Sequence, residues 1–138
     1  MAEPTRQGMF DAALAVRKEV LGAEYVDRAF AIDDEFTVDV QEFLTLHAWG
    51  PSWARRDAQG EFTLPKKTRS FLNLVMLMAL NRPHELELHV RGAIRNGVTK
   101  VEMKELFLHA AVYCGAPALI DAVRVARKVW GEHEGKGP

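Results

Sequence analysis

One cysteine, Cys114, stands in the 138 residues. That excludes a disulfide framework within the chain and any metal site built from thiolates alone. Charge of one sign is lacking too. The formal net charge is −1, whereas nucleic-acid-binding domains carry a strong basic excess. The longest apolar run, FLNLVMLMAL, is ten residues interrupted by Asn73, too short to span a bilayer. The opening MAEPTRQGMF has no basic region followed by an apolar run, so no signal peptide is expected. Sustained apolar/polar alternation between hairpin turns is absent, so no sheet is expected. These absences leave a soluble, cytoplasmic, all-α protein without a nucleic-acid or membrane partner. Hydrophobic residues make up 48% of the chain, enough to bury a core in one domain over residues 1–138.

What is present is helical periodicity. Met9, Phe10, Ala13, Val16 and Val20 predict a first helix stopped near Gly22. Tyr25, Val26, Ala29 and Phe30 predict a second. Phe36, Val40, Phe43, Leu44 and His47 share one face of a third, which Gly50 and Pro51 break. RRDAQGEF, residues 55–62, reads as a loop. Thr63 and Pro65 read as cap and first turn of a fourth helix through about Asn81, apolar nearly all round and expected to run through the middle of the domain. Pro83 opens a fifth, closed by a left-handed cap at Asn96-Gly97. Thr99 and Glu102 form a capping box for a sixth helix reaching about Tyr113. Leu119, Ala122, Val123, Ala126, Val129 and Trp130 stripe the last. The core is expected over about residues 8–131, with 132–138 a flexible tail.

The fifth helix holds the strongest chemical signal. In HELELHVRGAIRNG, Glu85 and His89 are four apart and share a flank beside the apolar stripe of Leu86, Val90, Ala93 and Ile94. A carboxylate there raises an imidazole's pKa and orients it, as an acid/base residue needs. The same pair also fits a surface ion pair at the core's edge. Glu87, on the opposite flank, reads as solvated or interfacial. HELELH superficially resembles the zincin pattern, but His84 and His89 are five apart, about 140° around the helix, so no zinc site is expected.

His47 lies on the apolar face of its helix, either a core histidine or a second imidazole at a pocket. Trp49 either packs or lines a site mouth, and Trp53 reads as core. Lys66 and Lys67 read as solvated cations. Arg69 sits where the fourth helix turns apolar, placed to grip a carboxylate bidentately. Arg82, at the junction before Pro83, either projects into a pocket between helices or lies on the surface. Cys114, Met76, Met78 and Met103 read as core.

Four stretches taken together carry a resemblance: HAWG (47–50), LPKKTRSFLNLVMLMAL (64–80), ELELHVRGAIRNGVT (85–99) and HAAVYCGAPA (109–118). In this order and separation, from about Gly8 to Trp130, the chain resembles the carboxymuconolactone decarboxylase family. The resemblance implies an alkylhydroperoxidase D-like helical fold and assembly into trimers or hexamers. It also implies decarboxylation of 4-carboxymuconolactone in the protocatechuate branch of the β-ketoadipate pathway. The redox relatives in this superfamily carry CxxCxxxH. Laid on this chain, the histidine falls on His89, the cysteines on Arg82 and Glu85, and an upstream relay glutamate on Ser70. Without CxxC, thiol peroxidase chemistry has no nucleophile and no resolving thiol.

The implied substrate is a lactone dicarboxylate whose ring double bond conjugates the carbon losing CO2 to the lactone carbonyl. It carries its own electron sink, so no cofactor and no metal is expected. On this reading His89 is the general acid, oriented by Glu85, and His47 polarises the carbonyl or holds a carboxylate. Arg69, Arg82 and Trp49 bind substrate. Another lactone or ring-acid decarboxylase or isomerase, or a non-catalytic helical oligomer, would use the same residues differently.

Overall fold

A computed structural model describes residues 2–135. Among them the chain is helical with no strand, and it divides into two compact units at Pro65 and Lys66. The all-α expectation holds.

The first unit holds α1 (Arg6–Leu21), α2 (Ala23–Ala31), α3 (Thr37–Phe43) and a π-helical segment, Leu44–Trp49. Thr5 caps α1 by accepting a hydrogen bond from the Gly8 N–H, satisfying one of the N–H groups a helix start leaves orphaned. Ala13, Val16 and Val20 form its buried stripe. Between them Arg17 is buried as well. Its guanidinium donates to Thr45 Oγ1 at 3.1 Å and to Gln41 Oε1 at 2.7 Å. Thr45 in turn donates to the Gln41 carbonyl at 2.8 Å. These bonds tie α1 to α3 and the π-helical segment, where an unpartnered charge would be costly.

The third apolar face differs from its expectation. Phe36 is 83% exposed and Phe43 61%. Beyond Phe43 the chain continues as the π-helical segment, whose wider turn shifts the rotational phase, and Thr45 and Trp49 face inward while His47 is exposed. The same segment requires a glycine at its end. A Cβ on Gly50 would lie 2.5 Å from the Leu46 carbonyl oxygen. Trp49 stacks on Trp53 at 5.3 Å, and both are buried, as expected for Trp53. The 55–62 loop is closed by a bridge between Arg56 and Phe62, with Asp57 Oδ1 accepting from the N–H groups of Gln59 and Glu61.

The second unit holds α4 (Lys66–Ala79), α5 (Pro83–Arg95), α6 (Lys100–Cys114) and α7 (Ala116–His133). Its core is Leu74 and Met78 of α4, Leu86, Val90 and Ala93 of α5, Met103 and Phe107 of α6, and Ala122, Ala126 and Val129 of α7. The expectation that α4 is buried all round is corrected. Ser70, Leu74 and Met78 form a single buried stripe at helical spacing, whereas Leu72, Met76 and Leu80 are 48%, 50% and 66% exposed. Met76 is therefore not core. The small α4–α7 bundle offers only one helical flank for burial.

The caps closing α5 and opening α6 behave as read, whereas the fourth helix starts only at Lys66, after Pro65, and the Thr63 hydroxyl donates to the Arg55 carbonyl. Thr99 and Glu102 make both bonds of the capping box, and Gly97 takes a φ of 86° after α5, a conformation that costs a glycine little. Cys114 is half-buried against the core. The last helix continues to His133, with Glu132 ion-paired to Arg91 and Glu134 to Lys100. The tail expected from residue 132 thus begins in ordered helix, because those carboxylates have partners on α5 and α6. Residues 136–138 of that tail lie outside the described residues.

Candidate active site

Helices α4 and α5 form an antiparallel hairpin, turned by Leu80–Arg82. Asn81 adopts a φ of 55° in this turn, and the Arg82 N–H returns to the Leu77 carbonyl. Polar contacts cross the hairpin. Asn96 Nδ2 donates to the buried Ser70 Oγ at 2.9 Å. Nearer the hairpin's closed end, Asn73 Nδ2 lies 3.4 Å from His89 Nδ1. Arg69 stands one turn before Asn73 on the same flank of α4 and is half-buried. An amide, an imidazole and a guanidinium thus share one flank of the hairpin, beside the stripe that Leu74, Leu86 and Val90 bury.

His89 differs from its expectation in charge. Burial pushes its pKa down from 6.5 to about 4, and Glu85, one turn earlier, only partly offsets this. Glu85 is exposed, so solvent screens its carboxylate, while desolvation of the half-buried ring disfavours the imidazolium outright. At neutral pH the imidazole is neutral.

The other candidates fall as follows. Arg82 is exposed and caps α5 two turns before His89. The cavity it adjoins, with Met78, Leu86 and Ala122, is about 10 Å³, no larger than about one water needs. Glu87 is not simply solvated: it is ion-paired to Arg91 at 2.9 Å and to Lys128 at 3.0 Å, binding α5 to α7. Those cations hold its carboxyl below the usual range. Lys67 pairs with Glu102 at 3.0 Å, so it is engaged rather than indifferent. His84 is exposed, on a different flank from His89. In the first unit, His47 packs its ring against Phe43 at 5.1 Å, and Trp49 lies in the stacked pair with Trp53.

Asn73 is the residue that sequence reasoning passed over, read only as an interruption in an apolar run. A signal was present: it lies four residues after Arg69, so any helix that brings Arg69 to a site brings Asn73 too.

A desolvated imidazole, an amide and a guanidinium on one helical flank are side chains chemically suited to an anionic ligand. The chain belongs to the Carboxymuconolactone decarboxylase family, whose model matches residues 39–128. Two curated relatives support the assignment. One is the nitrosuccinic acid decarboxylase npaB of Metarhizium robertsii, 44% identical over 129 residues, covering 94% of this chain and 86% of that protein. Another is the 4-carboxymuconolactone decarboxylase of Acinetobacter baylyi, 42% identical over 117 residues, covering 85% of this chain and 83% of that one. The protein is a carboxy-lyase.

Proposed function

We propose that the protein decarboxylates 4-carboxymuconolactone to the β-ketoadipate enol-lactone, in protocatechuate degradation, without a cofactor. The observation that carries this reading is the half-buried His89 beside Asn73, one turn from Arg69. The Acinetobacter baylyi relative supports the choice of substrate.

The chemistry asks for little. When the ring carboxylate leaves as CO2, its bonding pair flows through the ring double bond onto the lactone oxygen. A dienolate results, and one proton added at the carbon alpha to the carbonyl completes the product. Arg69 is suited to grip a carboxylate or the developing oxyanion, with Arg82 of the same unit as a further binding candidate. His89 supplies the proton. Its low pKa in the free protein is compatible with this role, because a dianion bound beside a desolvated imidazole raises its pKa again. The proton arrives with the substrate and leaves with the product.

A second reading is supported by the relative from Metarhizium robertsii. Nitrosuccinic acid is also a dicarboxylic acid with its own sink, since a carboxylate beside a nitro group leaves a nitronate on losing CO2. Both readings share a dianion and an internal electron acceptor. The test is CO2 release from each acid by the same preparation. A kcat/KM at least about tenfold higher for the lactone supports the first reading. The reverse ratio supports the second, and release from neither rejects both.

We also propose self-association as a trimer or hexamer. Val112 and Tyr113 on α6 are 79% and 81% exposed, and Leu72 and Met76 on α4, with Leu80 in the turn after it, are exposed as well. Apolar exposure of this kind marks association surfaces. Sedimentation equilibrium giving a monomer at micromolar concentration would contradict it.

A further inference from the structure

We propose that Asn73 is a positioning residue: in the substrate-free protein it donates its amide N–H to His89 Nδ1, fixing the neutral ring in the Nε2–H tautomer, and when bound substrate charges the ring it turns its amide oxygen to Nδ1–H, so that Nε2 handles the substrate's proton. This deepens the functional reading above and rests on it for its catalytic part.

The geometry supplies the first argument. Asn73 Nδ2 lies 3.4 Å from His89 Nδ1, across a hairpin that the Ser70–Asn96 bond holds in register. The contact is long, as catalytic hydrogen bonds often are before substrate binds. A neutral imidazole offers one donor and one acceptor nitrogen, and whichever group meets Nδ1 decides which nitrogen carries the proton.

Electrostatics supplies the second. Arg69 stands one turn before Asn73 on α4. A cation on that flank favours the orientation the structure has in the substrate-free protein, with Asn73 Nδ2 rather than the amide oxygen next to His89 Nδ1. A carboxamide in this place is therefore a donor to the neutral ring. An aspartate of the same shape would be an acceptor and would call for the opposite tautomer.

The test uses the full-length protein labelled with 15N in its histidine rings. Long-range proton–nitrogen spectra at neutral pH distinguish the two neutral tautomers without any substrate. Wild type is expected in the Nε2–H form, Asn73→Leu as a mixture, and Asn73→Asp in the Nδ1–H form. Asn73→Leu is also expected to lower kcat on the better of the two acids by about tenfold or more, with KM nearly unchanged. An Nδ1–H ring in wild type overturns the proposal, as does a tautomer indifferent to both substitutions. A tautomer that shifts while kcat stays put overturns the positioning role. A wild type inactive on both acids is a failure of the functional reading instead, which the ring spectra register separately.

Discussion

Glu85 and His89 lie one turn apart on α5, yet the carboxylate does not set the charge of the imidazole. Burial of the ring outweighs it and brings the pKa down to about 4. Spacing alone suggests the opposite. A pair at i and i+4 reads as a raised histidine when both groups are taken to be equally wet. Here Glu85 is exposed and His89 is not, so the two halves of the pair sit in different dielectric surroundings.

That relationship has a consequence for stability. The folded His89 binds its proton only near pH 4, whereas the unfolded chain binds it near 6.5. Between those values the unfolded state carries more protons, so its stability relative to the fold grows as pH falls. His89 thus contributes stability that is fully present above pH 6.5 and lost on descending to pH 4, by up to about 3 kcal/mol. Urea denaturation at pH 7.5 and 4.5 checks this. His89→Gln is expected to show a smaller drop between the two pH values, and an unchanged drop would mean the ring is not desolvated.

Arg69→Lys is expected to lose at least about tenfold in kcat/KM, because a point charge cannot reproduce the guanidinium's two-pronged grip. Circular dichroism should show the fold intact. Steady-state kinetics on the better substrate decides it, and wild-type kcat/KM in the lysine variant would remove Arg69 from the site.

Leu74 lies at the centre of the second unit's core and is fully buried. Leu74→Ala is expected to cost about 2–5 kcal/mol. The neighbouring Leu72→Ala, on the exposed flank of the same helix, should change the stability of the isolated chain far less. Chemical denaturation under monomeric conditions compares them. Equal losses would contradict the one-sided burial of α4.

Much of this was legible in the chain itself. The helices, the Thr99–Glu102 box and the Gly97 cap follow from local rules that act within a few residues, and the structure repeats them. The Glu85–His89 flank of α5 stood out in the chain because a histidine beside an apolar stripe is conspicuous. What local pattern could not carry was burial imposed from other elements. The π-helical segment shifts the phase of its turn and leaves His47 outward. The exposed flank of α4 depends on which side its neighbours occupy. The role of Asn73 depends on α5 lying against α4, because its partner is sixteen residues away.

The most direct measurement is CO2 release from freshly prepared 4-carboxymuconolactone by wild type and by His89→Gln, each shown to be folded. The account predicts rapid release by wild type and a loss of at least about a hundredfold in kcat for the variant. A folded His89→Gln protein turning over at the wild-type rate would contradict the assignment of the proton donor, and with it the chemistry argued from this flank of α5.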